Sequence, residues 1–240
     1  MAETRPTALV TGSAKGIGRG VVLALALAGH DVAIHYRNSA AEAEAVRREA
    51  EALGVRAIAL QADLAGAEPA MRLVEEAHAA FGRLDVLVNN VGNYVFKPFS
   101  ELELTEWRDV LDTNLEATFG ACRIALPLMT AQGSGRIVNL GYAGAQHVVG
   151  RPNLVAYAIA KTGITLLTKA IAREAAPFGV TANVVAPGVI ENSVEQPVVK
   201  IPAGIVGRID DVVNAVMYFC SPGAGYVTGQ VLEVAGGWNL

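Results

Sequence analysis

Thr11-Gly12-Ser13-Ala14-Lys15-Gly16-Ile17-Gly18 follows the strand-forming run that begins at Thr7 and leads straight into an apolar, alanine- and leucine-rich stretch. A strand that ends in a glycine cluster and continues at once into a helix is the opening βα turn of an open parallel sheet. Gly12 permits the tight turn, and Gly16 and Gly18 let backbone and helix come close to a group lying against it. The helix start contributes unpaired N–H groups and positive potential, which together suit the pyrophosphate of a dinucleotide. Ser13 and Ile17 belong to the same turn and join the glycines as candidate cofactor contacts. The plainer reading is an ordinary βα turn, but three glycines carry an entropic cost that such a turn does not require.

Outward from this turn, short β-branched runs alternate with amphipathic helical stretches to the end of the chain. Strands are predicted at 7–11, 31–36, 55–60, 84–89, 136–140, 180–185 and 231–234, and helices at 17–28, 39–53, 67–81, 105–131, 154–176 and 209–220. Several strands are continuous apolar runs, as in a sheet buried on both faces. The expectation is an α/β fold: residues 1–240 as one doubly wound, Rossmann-type domain with a mostly parallel seven-stranded sheet and helices on both faces. Residues 189–208, with Pro197 and Pro202, read as a substrate lid or loop rather than core.

Composition excludes several function classes. Of the 240 residues 52% are hydrophobic and 18% charged, which rules out disorder as the main state. A net charge of -4 lacks the basic excess that a nucleic-acid backbone attracts. Cys122 and Cys220 stand far apart and fit neither a disulfide framework nor a zinc site. The opening Met1 to Pro6 does not have the order of an export signal, and Val21 to Ala28 falls short of the ~20 residues a bilayer span needs. A soluble, cytoplasmic protein without nucleic-acid or membrane partners is expected.

The spacing G-x-x-x-G-x-G after Thr11 resembles the short-chain dehydrogenase/reductase family. Further matches follow in order: Asn89-Asn90-Val91-Gly92, Asn114, Tyr157-Ala-Ile-Ala-Lys161, Asn183-Val-Val-Ala-Pro187-Gly188 and Thr228-Gly229-Gln230. The resemblance covers essentially the whole chain and is strongest toward the β-ketoacyl carrier-protein reductase branch. It implies a nicotinamide cofactor held by Gly12, Ser13, Lys15, Gly16, Ile17, Gly18, Asp63, Leu64, Asn90, Gly92, Pro187, Gly188 and Ile190, with Tyr157 and Lys161 also touching it. Charge decides which cofactor. No acid stands at the end of the second strand, where Ile34-His35-Tyr36-Arg37-Asn38 instead places Arg37, and Lys15 can reach the same side. Two cations suit a 2′-phosphate, so NADP is expected. Asp63 reads equally as an adenine contact and as the N-cap of the 67–81 helix.

Tyr157 and Lys161 lie four apart on a predicted helix and share a face, where a cation favours ionisation of a phenol. By resemblance, Tyr157 protonates a carbonyl oxygen as hydride arrives, Lys161 holds the ribose and lowers the tyrosine pKa, and Asn114 anchors a water. The family's catalytic serine after the fifth strand is missing, since no serine occurs between Gly135 and Asn192. Counting forward from Arg136-Ile-Val-Asn-Leu140 puts Tyr142 in its place, and counting back from Tyr157 lands on Gly144. Tyr142 is the candidate substitute because its hydroxyl can donate to a substrate oxygen, with Gln146 and His147 behind it; an aromatic that merely lines the pocket is the other reading.

Asn192 stands where the family usually has threonine, the lid is shorter than in the carrier-protein reductases, and basic residues that would greet an acidic carrier are not evident near Gln132 or Phe178. A free small carbonyl or alcohol is therefore the expected substrate. The resemblance also implies a homotetramer built on helices 105–131 and 154–176, with Phe119, Leu126, Leu166 and Leu167 available as contacts or as core. The alternative function is an NADP-binding protein of little or no turnover, a regulatory or inactive subunit, motivated by the missing serine.

Overall fold

A computed structural model describes residues 5–193 and 201–238. Chain order is β1 (Thr7–Val10), α1 (Gly16–Leu27), β2 (Asp31–Tyr36), α2 (Ala40–Ala52), β3 (Ala57–Gln61), α3 (Ala67–Phe81), β4 (Val86–Asn89), α4 (Leu104–Leu111), α5 (Ala117–Gln132), β5 (Gly135–Leu140), α6 (Val155–Ala175), β6 (Val180–Pro187), α7 (Ile209–Cys220) and β7 (Val231–Val234). The strands form one sheet in the order β3-β2-β1-β4-β5-β6-β7, and every pairing is parallel. This is the expected doubly wound sheet. The chain leaves β3 and crosses back over β1 to enter β4, so the order reverses between β1 and β4. A crevice at the carboxyl ends of the strands opens at such a point.

Strand periodicity explains the two cores. Ala8 and Val10 of β1 face one side, where Val21, Val22, Leu25, Val46, Val212, Val216 and Phe219 of α1, α2 and α7 cover the sheet. Leu9 faces the other, with Leu73, Leu87, Ala121, Met129, Ile137 and Ile171 under α3, α5 and α6. Each of the larger of these side chains contributes about 1.5–3 kcal/mol on burial, which makes the central strands a rigid floor for the loops at their ends.

Three readings of the sequence need correction. β3 and β4 start two residues later than predicted, after the turns that bring Val55 and Leu84 into the core. The 105–131 helix is not uniform: Asp112–Glu116 is a π-helical turn between α4 and α5. Thr113 Oγ1 donates to Asp109 O at 2.6 Å and Asn114 Nδ2 to Val110 O at 2.9 Å, so two side chains compete for carbonyls of the preceding turn and loosen the ladder there. Asp63 does not cap α3, whose N-cap is Gly66 at φ 112°.

Helix α6 with the turn after it, Val155–Phe178, has the length and apolar composition of a bilayer span, a feature the sequence reading assigned to no segment. Its inner face, including Ala160, Ile164, Thr168 and Ala172, is used against the sheet. Of the predicted lid at 189–208, residues 194–200 lie outside the described residues. The flanks are joined: Glu191 N–H donates to Gly207 O at 2.9 Å and Gly207 N–H to Val189 O at 3.1 Å.

Candidate active site

The glycine turn is held from behind by side chains of neighbouring strands. Buried His35 on β2 accepts the Gly12 N–H on Nδ1 at 2.8 Å, and its Nε2 lies 3.1 Å from Ala62 O. With a donor on one side and a carbonyl on the other, the imidazole is neutral with its proton on Nε2, and burial lowers its pKa. Asn90, just past β4, donates from Nδ2 to Thr11 O at 2.9 Å and Gly12 O at 3.2 Å. Thr11 Oγ1 accepts the Asn90 and Val91 N–H groups. These bonds tie β1 to β4 across the reversal.

Close approach at the turn is literal. A Cβ on Gly18 would meet Gly12 O at 2.4 Å, and one on Gly16 would meet Asn192 Nδ2 at 2.9 Å. The N-cap Lys15 makes no side-chain cap bond and the first turn of α1 holds no acid, so its N–H groups face an anion-compatible space. This cradle fits a dinucleotide pyrophosphate. Ser13 is turned inward, its Oγ donating to Val10 O at 2.8 Å, and Leu64 is buried in the core. Either can meet a cofactor only through backbone.

Lys15 and Arg37 are both exposed, and both have carboxylate neighbours that sequence reading missed as partners. Lys15 Nζ is 2.7 Å from Glu42 Oε1 on α2, and Arg37 Nη1 is 3.9 Å from Asp63 Oδ1. Exposed pairs of this kind are worth ~0–1 kcal/mol, little enough for a phosphate dianion to displace.

A cleft of about 660 Å³ lies at the carboxyl ends of β4, β5 and β6. Ile17, Asn90, Gly92, Pro187, Gly188 and Ile190 line it together with Tyr142, Tyr157 and Lys161, while the remaining glycine-turn residues, Arg37, Asp63 and Leu64 lie outside its lining. Asn114 is wholly buried on the π-helical turn, its Nδ2 donating to Asn93 O at 2.8 Å. Its Oδ1 has no partner, and a Cβ on Gly92 would sit 2.0 Å from it. An orphaned acceptor at this depth is a place for a water or a donor.

Lys161 is 4% exposed, and burial lowers its pKa to about 7. Its Nζ donates to Leu140 O at 2.7 Å and lies 5.5 Å from the centre of the Tyr157 ring. Burial pushes the Tyr157 phenol up, with Tyr94 and Tyr142 adding to the shift. The phenol therefore keeps its proton across the neutral range.

Tyr142 follows β5 directly, is 9% exposed, and its ring centre is 5.6 Å from that of Tyr157. Gly144, the competing position, carries no side chain, and Gln146 and His147 turn away from the cleft lining toward Glu233 on β7. Glu233 Oε1 accepts Gly144 N–H at 2.8 Å and Gln146 Nε2 at 3.2 Å, with His147 Nε2 at 3.9 Å. Glu233 thus anchors the loop that carries Tyr142. Sequence reading missed it, as it missed Tyr94, Phe96, Arg151 and Trp238 on the cleft wall. The alternating ring spacing of Tyr94-Val95-Phe96 was the one local signal for them. The motifs at Asn183 and Thr228 serve the frame: Asn183 Oδ1 accepts Gln230 N–H at 3.0 Å and Thr228 Oγ1 accepts Ala182 N–H at 3.1 Å.

Comparison with known proteins gives the chain a family. A family model described as Enoyl-(Acyl carrier protein) reductase matches residues 12–239. The 3-oxoacyl-[acyl-carrier-protein] reductase FabG of Staphylococcus aureus is 40% identical, with 98% of each chain covered. Among solved structures, a blue fluorescent protein from a metagenomic library, in complex with NADPH, superposes with a TM-score of 0.91 at 34% identity over 98% of each chain. Acetoin dehydrogenase from Enterobacter cloacae gives 0.90 at 34% identity over 99% of this chain and 96% of that one. Matched over nearly its whole length in both sequence and architecture, the chain belongs to the short-chain dehydrogenase/reductase family of oxidoreductases.

Proposed function

We propose that the protein transfers hydride between NADPH and the carbon of a small carbonyl or alcohol, with Tyr157 as general acid or base. The observation that carries this reading is the position of Tyr157 and Lys161, one turn apart on α6, in the cleft beside the point where the sheet order reverses. The glycine turn and the start of α1 would hold the pyrophosphate, Lys15 and Arg37 the 2′-phosphate, and Lys161 the ribose. When bound, the nicotinamide supplies or accepts the hydride. The chain's own residues manage the oxygen: Tyr157 gives its phenolic proton to the carbonyl oxygen as the carbon is reduced, and takes it back in the alcohol direction. A phenol held in its protonated form suits the reductive direction.

Tyr142 takes the place of the missing serine as a hydrogen-bond donor to the same oxygen, a role supported by the position of its ring beside Tyr157. Asn114 Oδ1 holds a water that links Lys161 to solvent, an assignment its unpartnered oxygen supports. A homotetramer follows from the same family reading. Phe119 on α5 and Leu166 on α6 are 45% and 64% exposed, which supports a subunit contact there, whereas Leu126 and Leu167 pack toward the core. The substrate is a free small molecule, and the site of action is the cytoplasm, without a nucleic-acid or membrane partner.

The test is a titration with NADPH and NADH followed by a panel of ketones and aldehydes. Tighter NADPH binding with NADPH-dependent reduction is the expected result. Equal affinities would remove the 2′-phosphate assignment, and tight binding without turnover would leave a cofactor-binding protein instead.

A further inference from the structure

We propose that the carbonyl compound this cleft takes is a flat aromatic one, an aryl ketone or aryl aldehyde, and that Tyr94 and Phe96 select it; this rests on the reading of the cleft as a carbonyl-reducing site. The segment after β4 is laid out without helix or turn from Val91 to Pro98, and its exposure alternates residue by residue. Of the exposed members Gly92, Tyr94, Phe96 and Pro98, the first three line the cleft, while Val91, Asn93, Val95 and Lys97 are absent from its lining. Opposite pointing of successive side chains in an extended chain sends both rings into one space. The segment is pinned along its length: Asn93 Nδ2 donates to Asp109 Oδ2 at 2.6 Å, Lys97 N–H to Asn153 O at 3.0 Å, and Lys97 Nζ to Glu106 at 2.5 Å.

The rings stand where the reacting oxygen has to arrive. Tyr94 meets Tyr157 edge to face, ring centres 5.2 Å apart at 79°, and Tyr142 flanks the same ring at 49°. A carbonyl that reaches the Tyr157 hydroxyl has its substituents against these two rings. The lining also holds a second flat pair, since the guanidinium of Arg151 lies over the Trp238 ring, 5.8 Å from its centre. In all, five of the fourteen Phe, Trp and Tyr residues gather in this cleft, and among the described residues no Asp or Glu lines it. Walls made of ring faces and edges favour a partner with its own quadrupole over an aliphatic group of equal area. Tyr94 and Phe96, 38% and 45% exposed, have apolar surface left for a ligand to cover.

Aromatic contacts of this kind give about threefold to tenfold per ring. The experiment compares kcat/KM for acetophenone and cyclohexyl methyl ketone, matched in size and differing in flatness, in the parent protein and in Tyr94→Leu, Phe96→Leu and the double variant. The aryl-to-cyclohexyl ratio is expected to fall about tenfold or more in the double variant, a comparison in which the ketones' intrinsic reactivities cancel. A ratio that stays the same in all variants overturns the proposal. Calorimetric binding of 1-acetylnaphthalene to the NADP-loaded protein separates this inference from the activity it rests on. Affinity that weakens in the double variant supports the aromatic site even if no ketone is reduced, in which case the carbonyl-reducing reading fails alone. Affinity that does not change overturns the site itself.

Discussion

The two banks of the cleft are built on opposite principles. On the β1–β2–β3 side the groups proposed to bind are the backbone N–H groups at the start of α1, beyond a turn that His35 and Asn90 hold in shape, with the cations Lys15 and Arg37 left at the surface in ordinary ion pairs. On the β4–β5–β6 side they are side chains in unfavourable surroundings: a buried lysine shifted to about pH 7, a phenol pushed up by burial, and an unpartnered carbonyl oxygen on a π-helical turn. Binding an anion needs geometry and exposed charge, both of which coexist with a relaxed fold. Moving a proton needs groups held away from their preferred state, so the electrostatic cost gathers on the side where the chemistry is proposed.

If the first bank works through close backbone approach, the most damaging change to it is one methyl group. Gly18→Ala places a Cβ 2.4 Å from Gly12 O, and NADPH affinity should fall about 100-fold or more, read by fluorescence titration, with the far-UV spectrum of the protein retained. Unchanged affinity would show that the turn does not carry the pyrophosphate. On the second bank, Tyr142→Phe removes only a hydroxyl. It should lower kcat by about 10- to 100-fold at unaltered NADPH affinity, since a bond made in the transition state affects rate and not cofactor binding. A parental kcat would make Tyr142 a wall residue.

The contrast between the banks also governs what could be read from sequence. The β1 turn was legible because glycine has one physical meaning there, and the parallel sheet covered by helices followed from the alternation of short apolar runs with helices. Tyr157 and Lys161 were legible because their spacing is local to one helix. The rest of the proposed catalytic bank is assembled from separate segments. Tyr94 and Phe96 come from the loop after β4, Glu233 from β7 and Trp238 from the chain's end, and no local pattern brings them to Tyr142. The π-helical turn was hidden for a similar reason, since Thr113 and Asn114 spoil a helix ladder only once their partners are in place. Asp63 misled as a cap because an acid before a helix is a fair local signal, whereas the chain runs on to Gly66 before α3 begins.

Three substitutions with smaller effects separate the two banks further. Lys15→Ala should weaken NADPH but not NADH by about 10-fold, consistent with one charge-assisted contact of ~1.5 kcal/mol. Glu42→Gln should strengthen NADPH a few-fold by removing the competing carboxylate, and parallel titrations of the two cofactors check both. Lys161→Met should raise the stability of the fold, by about 1 kcal/mol near pH 6, because it removes a charge buried at a cost. The pH dependence has a definite sign. The folded pKa of about 7 lies below the unfolded value of 10.5, so below pH 7 the folded protein bears the whole cost of burying the charge. Between pH 7 and about 10 the amine is neutral only in the folded state, the parent gains stability, and the advantage of methionine shrinks. Urea midpoints at pH 6 and pH 9 measure this.

The separation of the two banks is tested most directly by Tyr157→Phe in a paired measurement: NADPH affinity by titration, and single-turnover oxidation of bound NADPH by the best carbonyl substrate. With the proton donor deleted and the glycine turn intact, affinity should stay within about twofold of the parent while the single-turnover rate falls about 1,000-fold or more. A variant that oxidises NADPH at the parental rate, or one that loses NADPH affinity in step with its activity, would contradict the account.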